Sequence, residues 1–316
     1  MKIKTLLAST AIALLAVFSP ALAETELTIA TVNNPDMVVM QKYSAEYEKA
    51  SGVKLKWLVL DENTLRQRVT TDIATKGGQF DIITIGLYET PIWGKAGWLL
   101  PFENMSEAYD AGDILPTVKD ALSYEGKMYS VPFYAESAFT FYRKDLFEKA
   151  GLTMPANPTW TQITEFASKL HDPANGMAGI CIRGLPGWGE NMALLGLMGN
   201  VYGGSQFNMD WTSAVNSPEW NNAINAYVNL ASKYGPPGVV GNGFNENLNL
   251  LANNGCAMWN DATVAAGLLF DPKRSKVADK LAIAPNPIER FDKGGSWLWA
   301  WSLGIASSST HAVEDK

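Results

Sequence analysis

The chain contains few of the side chains that most often bind transition metals. Its 316 residues include two cysteines, Cys181 and Cys256, and two histidines, His171 and His311. Structural zinc sites take about four ligands, mainly Cys and His, and these residues offer little toward one. The sequence therefore predicts no metal centre, and no motif in it indicates another cofactor.

Runs of basic residues and long apolar segments are also missing. The formal net charge is −7, with 25 basic and 32 acidic residues. An acidic chain without a lysine- or arginine-rich run is a poor candidate for binding nucleic acid or anionic lipid. The longest apolar run, "LLASTAIALLAVF" near the N-terminus, is too short to span a bilayer comfortably.

Residues 1–23 have the three parts of a secretory signal peptide. Lys2 and Lys4 precede the apolar run, and the small residues of "SPALA" follow it. We expect cleavage after Ala23 and export of a soluble product, with neither a lipid anchor nor membrane insertion. Cleavage removes two lysines and no acids, so the net charge would change from −7 to −9.

Export bears on the pairing of the two cysteines. In an oxidising compartment, a disulfide between Cys181 and Cys256 is the simplest interpretation. The alternative is two buried free thiols on neighbouring strands. A disulfide requires that the two Cα atoms lie no more than about 7 Å apart.

Strand and helix patterns alternate along the first third of the chain. Helical patterns, one of them over residues 65–75, separate three apolar strand patterns: "ELTIATV", "VKLKWLV" and "FDIITIG". This alternation predicts an α/β fold with a doubly wound parallel sheet. A second such series follows, with a helix that Ser217 can cap, Pro218 can begin and Gly235 can end.

Five segments resemble, in order, those of the bacterial extracellular solute-binding proteins of ABC importers, in the carbohydrate-binding family that includes the maltose-binding proteins. They are "FDIITIGLYETPIWGKAGWLLPF", "GKMYSVPFYAESAFTFYRKDLFEKAGL", "PTWTQITEFASKL", "GCAMWNDAT" and "GGSWLWAWSLGIASSSTHAVEDK". The resemblance covers all of the chain after residue 23 and is greatest to sorbitol- and mannitol-binding proteins. It implies a monomeric periplasmic protein that delivers a polyol or sugar to the transmembrane subunits of an ABC permease and catalyses no reaction.

The resemblance also implies two α/β lobes joined by crossing hinge strands, with the ligand cleft between them. The first lobe is expected at 24–135 plus 262–306, and the second at 136–261 plus 307–316. The chain is expected to cross near 131–138 and to return near 260–263. Since family members continue with further helices, we expect the C-terminal helices to be truncated, the second lobe to be incomplete and its apolar surface to be exposed.

Polyols and sugars require carboxylates that accept from hydroxyls, Arg or Asn donors, and aromatic faces that cover the carbon chain. In α/β lobes the ligand lies beyond the carboxyl ends of strands. Loops of this kind in the first lobe supply the candidates Asn33, Asp36, Glu62, Tyr88 and Glu89, and the crossing segment supplies Tyr134 and Glu136. Helix capping is an equal alternative for Asp36, and simple solvation is one for Glu62. The family's cleft position favours Tyr88 and Glu89.

The second lobe supplies five further candidates for ligand binding. They are Arg183, Trp188, Asn191, Trp259 and Asp261. Arg183 ends a predicted strand, where a surface ion pair is the alternative. Trp259 and Asp261 lie at the expected return crossing, and a place in the core is the alternative for Trp259.

Three tryptophans alternate in "GGSWLWAWSLG", at 297, 299 and 301. Alternate residues of a strand point to the same face. Trp299 and Trp301 lie deeper in the apolar run, so we expect them to pack in the core. Trp297 lies at the start of the strand beside two glycines, and we expect it at the cleft.

Two other functions are compatible with these residues. One is an exported carbohydrate-active enzyme that uses a carboxylate pair such as Glu89 and Glu136. The other is a solute sensor that shares the fold and signals through a membrane receptor. Recovery of intact ligand after binding would exclude the enzyme.

Overall fold

The computed structural model describes residues 25–311. The predicted signal peptide lies outside these residues. Within them, no helix combines the length and the apolar character needed to cross a bilayer.

Residues 25–311 form an α/β structure. Its strands are β1 (Glu26–Val32), β2 (Lys54–Leu60), β3 (Ile82–Gly86), β4 (Leu99–Leu100), β5 (Ser123–Tyr124), β6 (Lys127–Met128), β7 (Val131–Glu136), β8 (Ala138–Arg143), β9 (Met258–Ala262), β10 (Leu281–Ala284) and β11 (Trp299–Ala306). Its α-helices are α1 (Pro35–Met40), α2 (Ser44–Ser51), α3 (Glu62–Thr75), α4 (Glu89–Lys95), α5 (Pro116–Ala121), α6 (Lys144–Lys149), α7 (Trp160–Leu170), α8 (Asn191–Val201), α9 (Pro218–Tyr234), α10 (Phe244–Ala252) and α11 (Ala266–Leu269).

The first sheet has the strand order β2-β1-β3-β11-β4, and β7 also pairs with β11. β1 is parallel to β2 and β3, whereas β11 runs antiparallel to its neighbours. Helix α3 covers this sheet with the buried side chains of Leu65, Val69 and Ile73. The Asp61 carboxylate caps α3 by accepting from the Thr64 amide at 3.0 Å.

The second sheet is antiparallel, in the order β10-β8-β9. The segment 178–182 lies beside β9, with bridges from Ala178 to Cys256 and from Cys181 to Trp259. The strand predicted to end at Arg183 is therefore represented by two isolated bridges. Helix α9 lies on this side and ends at Tyr234, with the Ser217 hydroxyl accepting from the Trp220 amide.

The chain crosses from the first sheet to the second at Ser137, between β7 and β8, within the predicted interval. The predicted return near 260–263 differs from the structure, because β10 pairs with β8 and thus belongs to the second sheet. Residues 262–284 follow it, since Leu269, Val277 and Leu281 share one buried cluster with β9. The end of β9 does reach the crossing, where the Thr263 hydroxyl accepts from the Ser137 amide.

The return to the first sheet lies between the end of β10 and the start of β11. Ser137 also donates to the Trp297 carbonyl at 2.8 Å, so three segments meet at this crossing. Residues 307–311, predicted in the second lobe, contact the first, because the Ser307 amide donates to the Trp98 carbonyl and His311 bonds to Asp81. A strand end in a sequence does not reveal which sheet the next segment joins.

Exposed apolar side chains occur in both parts of the molecule. Trp211 is 81% exposed and Val228 51% exposed on the second, while Leu115 is 64% exposed on the first. Exposure of this kind therefore does not distinguish the two lobes, and the truncation of the C-terminal helices stays a prediction.

Cys181 and Cys256 form a disulfide in the structure, with their Cα atoms 5.7 Å apart. Both side chains are fully buried among the residues that surround β9. The bond joins positions 75 residues apart, so it constrains a long loop of the unfolded chain.

Replacing both cysteines by serine is expected to lower the free energy of unfolding by about 2–4 kcal/mol, since the unfolded chain regains the entropy of that loop. Urea denaturation followed by circular dichroism measures the change. Addition of a thiol reductant should destabilise the wild type and leave the double variant unaffected. Equal stability of the oxidised wild type and the double variant would contradict this role.

Candidate functional site

A cavity of about 220 Å³ lies between the two sheets. From the first part of the chain its lining includes Asn34, Glu62, Arg66, Glu136, Trp299 and Trp301. From the second part it includes Arg183, Trp188, Gly189, Ala193, Phe244, Ala262, Val264 and Trp297. This volume is smaller than the roughly 300–1,000 Å³ typical of ligand pockets, so the cavity suits a small ligand.

Glu136 ends β7, next to the crossing, and its side chain lines the cavity. Its Oε2 is buried and has no hydrogen-bond partner. Burial raises the pKa of Glu136 to about 8; Arg183 opposes this shift, and the carboxylates of Asp261, Glu62 and Asp36 add to it. A buried carboxyl oxygen without a partner is a ready acceptor for a ligand donor.

Arg183 enters the cavity from the loop that precedes α8, and Asp261 on β9 holds it. The guanidinium donates from Nε to Asp261 at 2.9 Å and from Nη2 at 2.6 Å, a bidentate pair. Its Nη1 donates to the Gly189 carbonyl at 2.6 Å and lies 3.6 Å from Glu190. The exposed fraction is 6% for Arg183 and 1% for Asp261. Arg183 therefore presents a fixed positive charge to the cavity.

Arg66 lies one turn into α3, on the opposite wall. It donates from Nη2 to Glu62 at 2.9 Å and from Nη1 to Glu89. The other oxygen of Glu89 accepts from the Gly86 amide at 3.0 Å. The two carboxylates thus fix the orientation of the Arg66 guanidinium.

The Arg66 guanidinium is surrounded by three indole rings. It lies 3.9 Å from the ring centroid of Trp188, 5.1 Å from that of Trp299 and 4.9 Å from that of Trp301. Trp188 belongs to the second part of the chain, whereas the other two lie on β11. The cation therefore contacts aromatic faces from both sides of the cavity.

Of the predicted ligand residues, five line the cavity. These are Glu62, Glu136, Arg183, Trp188 and Trp297. Asp261 and Glu89 lie behind the wall, where they orient Arg183 and Arg66. The Tyr134 hydroxyl accepts from the Asn34 side chain at 2.9 Å, so Tyr134 likewise contacts a lining residue.

Four other predicted residues lie elsewhere around the cleft. Asn33 is exposed, and its carbonyl accepts from the Asn245 side chain. Asp36 lies in the first turn of α1, although its side chain makes no cap bond. Tyr88 is 63% exposed and packs against Trp188. Asn191 accepts from the Gly187 amide at 3.2 Å and so supports the loop.

Trp259 lies in the core instead of the cavity. It is fully buried and stacks on Phe141, with ring centroids 5.7 Å apart. Phe244, whose ring centroid is 5.5 Å away, lies at the cavity and covers it. The sequence around Trp259 gave no sign that Phe244, the first residue of α10, would lie between Trp259 and the cavity.

Trp301 belongs to the buried core of the first part and Trp299 packs against it, as predicted, but both also line the cavity. Trp301 is nevertheless only 2% exposed, so an apolar environment and a place at the site coincide. The predicted common face holds for Trp299 and Trp301 alone, because β11 begins at Trp299 and Trp297 packs on the clusters of the second part. Asn34 could have been found as the neighbour of Asn33, but no local signal marked Arg66 or Phe244.

No group of three or more His, Cys, Asp or Glu side chains between residues 25 and 311 is arranged to hold a metal ion. The polar groups at the cavity are instead two carboxylates, two guanidinium groups and an amide. Their chemistry suits a neutral ligand that both donates and accepts hydrogen bonds.

The stability of the ligand-free protein is expected to decrease between pH 5 and pH 9 relative to that of a Glu136→Gln variant. The pKa of Glu136 is raised from 4.5 to about 8 on folding. The folded state therefore retains a proton that the unfolded state has lost, and this contribution disappears as the pH rises through 8. Urea titrations across this range measure the difference, and a pH-independent difference would contradict the burial of Glu136.

The two α/β parts closed over a polar and aromatic cavity are the architecture of a solute-binding protein. Residues 32–316 match the family described as bacterial extracellular solute-binding protein, and the chain belongs to this family.

A mannitol-binding protein from Pseudomonas aeruginosa is 52% identical over 288 residues, which are 91% of this chain and 66% of that protein. The chain thus spans just under two thirds of this relative's length. A solute-binding protein from Agrobacterium vitis S4 with bound D-mannitol is 52% identical, with a TM-score of 0.88 over 90% of this chain and 69% of that one. One from Agrobacterium radiobacter K84 in complex with ribitol is 27% identical, with a TM-score of 0.82 over 92% and 73%.

Proposed function

We propose that the chain binds a linear polyol of the mannitol or sorbitol type in the cavity between its sheets and delivers it to an ABC permease. It works as a monomer in the periplasm after signal-peptide cleavage. The two lobes close on the ligand, because contacts that exist only in the closed state bias a hinge toward closure.

The observation that carries this proposal is the unpartnered Oε2 of Glu136 in the cavity wall. A polyol has hydroxyls on successive carbons, and a carboxylate can accept from two of them. Such charge-assisted bonds are worth about 1.5–3 kcal/mol each. Arg183 forms a bidentate ion pair with Asp261 and lines the same cavity, where its positive charge can attract a hydroxyl oxygen.

The indole walls suit the other half of a polyol, its carbon chain. Trp299 and Trp301 line the cavity from the first part of the chain, and Trp188 and Trp297 line it from the second. Aromatic faces cover weakly apolar C–H groups without competing for the hydroxyls. The relatives named for mannitol or holding mannitol and ribitol support the same ligand class.

The enzyme alternative has less support. A glycosidase needs two carboxyl groups that flank the bond to be broken. Glu89 is held by Arg66 and the Gly86 amide and is absent from the cavity lining. The pair of Glu89 and Glu136 therefore does not present two free carboxylates to one ligand.

A thermal-shift screen followed by calorimetry tests the proposal, with D-mannitol, sorbitol, ribitol, monosaccharides and a disaccharide as ligands. At a hundredfold excess over Kd, a ligand stabilises the folded protein by about 2.7 kcal/mol. We expect stabilisation by alditols and recovery of unmodified ligand by mass spectrometry. Binding of cyclic sugars alone would overturn the polyol assignment, and a modified ligand would indicate catalysis.

A further inference from the structure

The contact between Arg66 and Trp188 joins the two parts of the chain directly, side chain to side chain. Arg66 lies on α3 and lines the cavity from the first part of the chain, and Trp188 lies in the loop before α8. Their guanidinium carbon and ring centroid are 3.9 Å apart. We propose that this pair is a latch that holds the lobes closed even when the cavity is empty.

Arg66 is prepared for this role by its own lobe. Ion pairs with Glu62 and Glu89 hold the guanidinium in place, and the Arg66 side chain is only 12% exposed. Trp299 and Trp301 flank it from β11. These four partners come from the first part of the chain, so they remain when the lobes separate. Opening removes Trp188 alone and leaves the cation with one aromatic face fewer.

The loop that carries Trp188 rests closely on the start of α3. The Asn63 side chain donates to the Pro186 carbonyl at 3.1 Å. A side chain in place of Gly189 would collide with the Glu62 carboxylate, and one in place of Gly187 would collide with Asn63. These glycines let the loop come near enough for Trp188 to cover Arg66.

The latch affects affinity in a definite direction. A ligand that binds the closed state loses affinity in proportion to the fraction of protein that is not closed. A latch that populates the closed state therefore tightens binding, and this consequence rests on the proposed function. Closure of the empty protein does not rest on it.

Distances between spin labels in the ligand-free protein test the latch directly. Labels at Thr71→Cys on α3 and Lys233→Cys on α9 occupy exposed positions of the two parts, and both native cysteines are held in the disulfide. We expect a closed population in the wild type. Arg66→Met and Trp188→Leu should each reduce the ratio of closed to open protein by about 2- to 30-fold.

The double variant should open no further than Trp188→Leu alone, which also removes the ring contacts of Trp188 with Tyr88 and Trp299. Arg68→Met is the matched control: it removes the same charge from α3, but Arg68 is exposed and lies over Phe80 of its own lobe. If Arg66→Met does not fold, Trp188→Leu removes the same contact from an exposed loop, together with the ring contacts of Trp188 to Tyr88 and Trp299. Absence of a closed population in the wild type, or unchanged distances in both single variants, would overturn the latch.

A titration with D-mannitol separates this result from the proposed function. If mannitol fails to bind, the ligand-free distances still decide whether the latch exists. If mannitol binds, Arg66→Met and Trp188→Leu should weaken binding and Arg68→Met should not. Equal affinity in a variant that has lost its closed population would overturn the link between latch and affinity.

Discussion

Replacing Asp261 by alanine is expected to lower the free energy of unfolding by about 3–5 kcal/mol. Arg183 is 6% exposed, and Asp261 accepts from it at 2.6 and 2.9 Å. Without this carboxylate, the guanidinium keeps the Gly189 carbonyl, Glu190 at 3.6 Å and the Phe244 ring, whose centroid lies 5.2 Å away. A buried charge that loses its main partner bears the full cost of desolvation.

Urea denaturation measures the change, and two variants show its origin. Glu103→Ala removes one partner of an ion pair with Lys127 in which both side chains are more than half exposed, so a loss below about 1 kcal/mol is expected. Replacing the pair together, as Arg183→Met with Asp261→Leu, should restore much of the stability because no buried charge remains. A loss of under 1 kcal/mol in Asp261→Ala would show that Arg183 is stabilised by other groups.

Glu136→Gln is expected to weaken the binding of D-mannitol by about 15- to 2,000-fold at pH 7. Two charge-assisted hydrogen bonds contribute about 3–6 kcal/mol. About 1.4 kcal/mol is subtracted, because a group whose pKa is raised to about 8 must first lose its proton at pH 7. The net effect is then about 1.6–4.6 kcal/mol, with the fold preserved because the two side chains have the same shape.

Calorimetry measures the affinity, and its pH dependence identifies the carboxylate. Wild-type affinity should rise from pH 6 to pH 8 as the proton becomes easier to remove, while that of Glu136→Gln should stay flat. Glu46→Gln, which removes an exposed charge from α2, serves as control and should bind as the wild type does. Unchanged affinity in folded Glu136→Gln would exclude this carboxylate from the site.

Local patterns in the chain predicted its elements well. The strand "ELTIATV" coincides with β1, and α9 begins after its predicted Ser217 cap and ends at the residue before Gly235. Such features depend on backbone propensities and hydrogen bonds within a few residues. The carboxylate at the end of β7 was found in another way, because the family resemblance implied a crossing segment near 131–138.

The sequence alone thus predicted an α/β chain, a resemblance to the solute-binding proteins and several of the residues that line the cavity. Only the tertiary structure decided three features. They are the lobe to which β10 belongs, the place of Trp259 behind Phe244, and the three indole rings around Arg66. Alternation along a strand tells which side chains share a face. Whether that face meets a core or a cavity depends on segments far away in the sequence, as when Trp188 comes to lie 3.9 Å from Arg66.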